Sequence, residues 1–491
     1  MGRSSMPRGQ ATYGMAGSQG ARPELADVGR LARRFVQKAV ATARAGQQSV
    51  GTVVAEHLSG EADGLPIATG TWPSYDQVNA QTGLDVWLAE PGRTHLLLGL
   101  THMRHSDSGL ADWIQGTQYA PSVGNVSTVS MPSGPGGETR QCVLAGLYLV
   151  TDADGKTVIF VSGYDGVAVQ VASTTEGRAA RIVEQIRRLS LEHNVFRGHV
   201  ISFGGEVFDG PQGSLLSFVD RPSVARDHIV LPDAVIDGIE RQVLGVARHA
   251  SRLRASGQHL RRGVLLYGPP GTGKTHTVRY LLGRLKGVTV VLLSGGALGM
   301  IDAACSVARA LQPAVVVLED VDLIAEDRDE FPGQNGLLFE LLNEMDGLGQ
   351  DIDVAFLLTT NRADLLETAL AMRPGRVDHA AELALPDADA RARLVELYRG
   401  NLELDLADPD SVISRTEGVT ASFIKELLRR AAMHAAEQDS DDAATGDLPL
   451  RVTDEHLAVA LDELLDTRNA LTRALLGGAP GAPVTAPALD E

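Results

Sequence analysis

The stretch GVLLYGPPGTGKTHTVRYLL, residues 263–282, constrains this chain more than any other. An apolar strand, a glycine-rich turn and a helix follow one another without a gap, which is the context a phosphate-binding loop requires. The turn is Gly268, Pro269, Pro270, Gly271, Thr272, Gly273, Lys274 and Thr275, with His276 opening the helix. Glycines let the backbone curl until successive N–H groups face one anion, and the helix N-terminus adds its partial positive charge. Lys274 is then placed for the β- and γ-phosphates of a nucleoside triphosphate, and the Thr275 hydroxyl for magnesium.

Such a loop needs an acidic strand beside it, and VVVLEDVDLI, residues 315–324, is the candidate. Its apolar run does not alternate, as expected of a strand buried on both faces of a parallel sheet under helices. The acids Glu319 and Asp320 fall at its C-terminal end, where sheets of this kind bind ligands. A further strand, VAFLLTT, ends in Asn361, whose amide is placed to hold a water or a phosphate.

Composition narrows the setting. With 491 residues and 44% hydrophobic content, the chain is long enough for two to four domains with sizeable cores. No run of eighteen apolar residues and no signal-peptide build appear, and Met6 stands where a myristoylation signal wants Ser or Thr, so the sequence predicts a cytoplasmic protein. Cys142 and Cys305 are too few for a disulfide framework or a zinc cage and are read as buried thiols. A formal charge of −18 argues against general nucleic-acid binding. Local arginines such as Arg252, Arg254, Arg261 and Arg262 keep a nucleic-acid-dependent motor as the last-ranked reading.

Upstream, residues 1–22 lack periodicity and read as a tail, as do 474–491. A helix is expected near 24–44, then strands in HLLLGLTHM, CVLAGLYLV, TVIFVSGY and VAVQVAS, with the DADG turn implying an antiparallel meander. Ala179, Ile182, Val183 and Ile186 mark one face of an amphipathic helix. Arg178, Arg181, Glu184, Arg187 and Arg188 are expected to face solvent. VFRGHVISFGG and SLLSFVDRP predict two short bridging strands. His95, His102 and His105 lack accompanying ligands at metal spacing, so no metal site is assigned to them.

GPPGTGKT, LLNEMDGL at 341–348, TTNRADLLETALAMRPGRVD at 359–378, LPDADARARL at 385–394 and RTEGVTASFIKELLRRAA at 415–432 together resemble the AAA ATPases, in the branch of membrane-protease, proteasomal and Cdc48-like motors. The resemblance covers about 226–473, with VTDEHLAVALDEL as the closing lid helix. It implies an α/β P-loop module, a parallel sheet with helices on both faces, over 226–386, and a small helical lid over 387–473. A separate α+β N-terminal domain with linker strands occupies 23–225. It also implies ATP and Mg2+ as cofactors, a homo-oligomeric ring, typically a hexamer, and a protein client met through the N-terminal domain.

Carried over residue by residue, the resemblance makes Lys274 and Thr275 Walker A ligands, Glu319 the magnesium-side acid, Asp320 the water-polarising acid and Asn361 the first sensor. Arg376 matches the arginine finger, His379 stands where a second arginine is usual, Arg373 is a possible helper, and Ile229 falls near the adenine pocket. The Glu-Asp order reverses the usual pair but occurs in relatives resembling the Rieske-protein translocases. The expectation is an active, slow ATPase that remodels a protein partner; the alternative is a nucleotide-gated scaffold with negligible hydrolysis. SGGALGMIDAACSVARAL, residues 294–311, has no aromatic where threading relatives place a gripping loop; Leu298 and Met300 are its large apolar candidates.

Overall fold

The computed structural model describes residues 49–59, 64–101, 109–114, 121–164, 166–204, 215–322, 336–347, 349, 352–364, 376–439 and 449–465. The two expected tails, the helix near 24–44, His102, His105 and Arg373 lie outside them.

The N-terminal part is built on a seven-stranded antiparallel sheet. Its strands are β1 (Ile67–Trp72), β2 (Thr94–Thr101), β3 (Ser122–Gly124), β4 (Ser127–Pro132), β5 (Thr139–Asp152), β6 (Gly155–Ser162) and β7 (Val167–Ser173). The order is β1-β7-β6-β5-β2-β3, with β4 also on β5. β5, β6 and β7 form the expected meander, tightened at the DADG turn, where Asp152 pairs with Gly155. Both faces are covered. Helices α2 (Gln77–Leu88) and α4 (Arg178–Glu192) bury Leu84, Trp87, Ile182 and Ile186 on one face. On the other, α1 (Val50–His57) and α3 (Leu110–Ile114) bury Val54 and Trp113 against Leu147 and Phe160.

One expectation for α4 is corrected. Arg178 does not face solvent: it is buried, with Nη2 donating at 2.5 Å to both carboxylate oxygens of Asp152. The helix begins at the foot of the β5–β6 turn, so its first residue lies under the sheet edge, and a buried guanidinium is tolerated there because a carboxylate meets it. Arg181 and Arg188 are exposed as expected.

The second sheet also has seven strands, ordered β14-β10-β13-β12-β11-β8-β9. They are β8 (Val200–Phe203), β9 (Leu216–Val219), β10 (Arg262–Tyr267), β11 (Thr289–Leu293), β12 (Ala314–Leu318), β13 (Val354–Thr360) and β14 (His379–Glu382). All pairings are parallel except that of β8 with β9. Every residue of β12 and β13 is buried, which is why their sequences run apolar without alternation. One face carries α5 (Asp233–Glu240) and α7 (Lys274–Arg284); the other carries α8 (Ile301–Ala310) and α9 (Gly336–Gly347). A π-helical turn, Arg241–Gly245, joins α5 to α6 (Val246–Ala255).

The two bridging strands, β8 and β9, therefore extend the nucleotide-side sheet. Arg221 pins them: its guanidinium donates to the carbonyls of Leu282 at 2.7 Å and of Gly198 and Val288 at 3.0 Å. The N-terminal part packs directly onto this extension. Tyr75 meets Phe203 edge-on at 5.3 Å, the Asn79 side-chain oxygen accepts from the Val195 N–H at 2.8 Å, and Val78, Met131 and Cys142 join the core under β8 and β11. The lid comprises α10 (Ala388–Tyr398), α11 (Pro409–Arg415), α12 (Ala421–Asp439) and α13 (Asp454–Leu465) around Phe423, Ile424, Leu427 and Leu461. A short parallel pair, β15 (Glu403–Asp405) and β16 (Arg451–Thr453), closes it.

Candidate nucleotide site

The loop after β10 takes the backbone shape its glycines permit. Gly268, Gly271 and Gly273 have φ of 143°, 80° and 100°, and a Cβ on Gly268 would stand 2.3 Å from the Leu383 carbonyl oxygen. Lys274 opens α7, buried, its Nζ donating at 2.8 Å to the carbonyls of Gly268 and Pro269. Burial lowers its pKa, while Asp320 and Asp322 push back. Thr272 Oγ1 donates to the Pro269 carbonyl at 2.9 Å, tying the loop to itself.

The acids of the neighbouring strand end arrive beside this loop. Glu319 shares a hydrogen bond with Thr275, and its pKa is raised, first by burial and then by Asp320. Asp320 sits at φ 56°, a left-handed conformation uncommon outside glycine but among those Asp tolerates best. The Thr359 hydroxyl accepts from its N–H at 3.0 Å, and the Asn361 amide donates to its carboxylate at 3.3 Å. Lys274, Thr275, Glu319, Asp320 and Asn361 are thus brought together at the C-terminal ends of β10, β12 and β13, as their positions in the sequence predict.

Arg376 lies elsewhere, and Ile229 stands behind the loop's helix. Ile229 is buried in the core between sheet and α5, although the His276 ring bonds to the backbone of the adjacent His228. Gly263 and Asp378 exchange two 2.9 Å bonds, Gly263 N–H to the Asp378 side chain and Asp378 N–H to the Gly263 carbonyl, which hold Arg376 against the start of β10. That end lies about 16 Å from Gly268, five residues of strand, so Arg376 cannot serve the loop of its own chain. Its guanidinium is buried and forms a two-pronged pair with Asp346 of α9. Burial, then Arg261, lowers its pKa. His379 opens β14 and faces Gly238 of α5.

Some site residues carry no sequence signal strong enough to be assigned. Asp322, the third acid of LEDVD, is buried and accepts from the Thr360 hydroxyl at 2.9 Å and the Asn361 N–H at 3.2 Å, so it fixes the backbone that presents Asn361. The lid also contributes. Ser422 N–H and Oγ both donate to the Gly271 carbonyl, at 3.2 and 3.3 Å, and a groove of about 670 Å³ runs from Ser422 past Lys425 to Tyr398.

A glycine loop opening a helix, paired acids on the next strand and a polar residue beyond them, all at one edge of a parallel sheet, define a P-loop nucleotide-binding domain. Residues 264–385 match the family described as ATPase family associated with various cellular activities (AAA). The chain is 33% identical over 194 residues to the 26S proteasome regulatory subunit 6B homolog of Dictyostelium discoideum, covering 36% of this chain and 47% of that one. It is 28% identical over 275 residues to the proteasome-activating nucleotidase of Thermococcus onnurineus, 53% and 67% of the respective lengths. To the ATP-dependent zinc metalloprotease FtsH 2 of Symbiobacterium thermophilum it is 32% identical over 219 residues, 41% and 37%. The matches thus span from about a third to two thirds of these relatives. The chain thus carries an AAA ATPase-family domain over residues 264–385. Among the described residues no helix is long and apolar enough to cross a membrane.

Proposed function

We propose that this chain hydrolyses ATP with magnesium and spends the energy on remodelling or disassembling a protein partner, working as a homo-oligomeric ring. The observation that carries the reading is the meeting of Lys274, Thr275, Glu319, Asp320 and Asn361 at one strand edge. The Thr275 hydroxyl and Glu319 carboxylate are hard oxygen donors already in contact, a set that suits magnesium. Bound there, the ion would neutralise charge on the phosphates. Lys274, released from its loop carbonyls, meets phosphate oxygens, and Asp320, oriented by Asn361, polarises the attacking water. The swapped order moves each carboxylate by one methylene while keeping an acid at both positions.

The placement of Arg376 supports the ring. It is too far from its own loop, so a catalytic part for it requires a second copy, and it must first leave Asp346. A non-threading action is supported by Leu298, which is buried, and by Met300, which packs against the same core, so neither projects as a grip. A nucleotide-gated scaffold remains the second reading, favoured by the Arg376–Asp346 pair. Steady-state phosphate release, with and without magnesium, alongside solution mass with and without ATP, separates the two. Turnover by an assembled species supports the enzyme; an ATP-dependent ring that releases no phosphate supports the scaffold.

A further inference from the structure

Residues 241–301 contain no Asp or Glu and ten Lys or Arg, in a chain whose formal charge is −18. Lys274 belongs to the phosphate loop, and Arg262 is paired with Asp353 at 3.1 Å. A different group of these cations surrounds a cleft of about 430 Å³ at the far end of α7, between that helix and the π-turn leading into α6. Leu244, Leu285 and Val288 form its aliphatic floor, and Arg248, Arg284 and Lys286 stand exposed at its rim. None of these three heads has an ion-pair or hydrogen-bond partner among the described residues. Arg284 and Lys286 also offset the negative end of α7, but Arg248 comes from another helix and faces the same hole. The single described π-turn of the chain lines it through Leu244, and such turns are frequent at functional sites.

We infer that this cleft binds an acidic peptide segment of a protein partner, one aliphatic side chain seated on the floor and flanking carboxylates held by Arg248, Arg284 and Lys286. The chemistry favours peptide over nucleic acid. The lining offers no aromatic ring on which a base could stack, and three charges around one hole do not make the extended row that phosphates need. The site is distinct from the nucleotide loop but shares α7 with it: the helix carries Lys274 and Thr275 at one end and the cleft at the other, about 16 Å away. Arg221 anchors the N-terminal connector to Leu282 and Val288 at that same end. An occupant therefore touches the point where connector and phosphate-loop helix are joined.

The test uses the full chain and fluorescence anisotropy. The probe is a labelled peptide with one leucine between two pairs of glutamates; companions replace the leucine by glycine or are a labelled oligothymidylate. The leucine peptide is expected to bind, to weaken with salt, and to lose about tenfold in affinity in the Arg248→Glu, Lys286→Glu double variant while binding of an ATP analogue is unchanged. The glycine peptide should bind several-fold more weakly. Absence of binding, equal binding by the variant, or equal binding of the glycine peptide would overturn the proposal. Tighter binding of the oligothymidylate would assign the cleft to nucleic acid instead. Should the double variant lose its ATP-analogue binding, Arg248→Gln alone makes the same comparison, with a drop of about threefold expected and no drop overturning it.

Discussion

The two seven-stranded sheets of this molecule differ in direction, and that difference decides where chemistry gathers. In the parallel sheet β10, β12 and β13 all end at one edge, so Lys274, Asp320 and Asn361, each just beyond a strand, become neighbours. In the antiparallel sheet successive strands end on opposite edges, and among the described residues no such convergence occurs. Its polar side chains serve the fold instead: Gln77 and Gln81 bond the Val143 backbone on the inside, and Arg140 reaches Asp85 at 2.6 Å. A strand end in a parallel sheet is thus a place to put a catalyst, whereas the antiparallel sheet spends the same residue types on cohesion.

The largest test of that contrast is Asp320→Asn. If the carboxylate polarises water, ATP binding persists while turnover drops at least a hundredfold; Glu319→Gln should lose turnover and also weaken its magnesium dependence. Because burial and Asp320 raise the Glu319 pKa in the metal-free site, magnesium capture, which needs the ionised acid, should weaken on acidification at a higher pH than an ordinary carboxylate would dictate, read as a rising magnesium requirement for turnover. Full turnover by the Asp320→Asn protein in a phosphate-release assay would remove the strand edge as the seat of catalysis.

Next in size is Arg376. Arg376→Ala should bind ATP normally and lose about tenfold or more in turnover. Mixing it with Lys274→Ala protein should restore part of the loss, since mixed rings contain interfaces with both residues intact. Asp346→Asn, which frees the guanidinium, should raise turnover or leave it unchanged. Mixed rings as inactive as either parent would show that Arg376 does not act on a neighbour.

Legibility followed the same line as the sheets. The phosphate loop is legible because everything it needs is contiguous: strand, glycines, Lys274 and helix lie within twenty residues. Glu319, Asp320 and Asn361 are legible because each closes an apolar run. Asp322 was not, because a third acid in a row carries no signal that it will turn inward to hold Thr360. Ser422 was not, because its approach to the loop depends on lid docking across some 150 residues. Four of the seven strands of the antiparallel sheet were readable from apolar runs and turn chemistry, but Arg178 was misplaced because helix periodicity cannot foresee a carboxylate waiting beneath its first turn.

That ion pair gives a third test, on the cohesive side of the comparison. Arg178→Met keeps the stem but leaves Asp152 with Arg93, at 3.2 Å, and the Asp154 N–H, at 3.0 Å, in a half-buried setting. A loss of about 3 kcal/mol from the N-terminal part is expected, read by thermal unfolding and limited proteolysis, with ATP-analogue binding intact. Loss of nucleotide binding in step with stability would mean that the two sheets unfold as one unit.

The smallest effect concerns the seam between the sheets, where Asp76 lies beside α2. Crowding by protein pushes its pKa up to about 6, against a 2.7 Å bond from the Asn79 amide and the charge of Arg187, both of which favour the ionised form. Because the folded chain holds this proton more tightly than the unfolded one, the contribution to stability is complete below the ordinary aspartate value and is lost as pH rises from about 4 to about 6. At neutral pH the ionised carboxylate is therefore a cost carried at the junction. Asp76→Asn keeps an oxygen to accept from Asn79, which in turn holds the Val195 N–H of the connector. The variant should melt about 2 °C higher at pH 7.5 and show a flatter dependence of melting temperature between pH 4.5 and 6.5. An unchanged slope across that window would mean that Asp76 titrates as a solvent-exposed acid, and that the seam between the two sheets carries no buried charge.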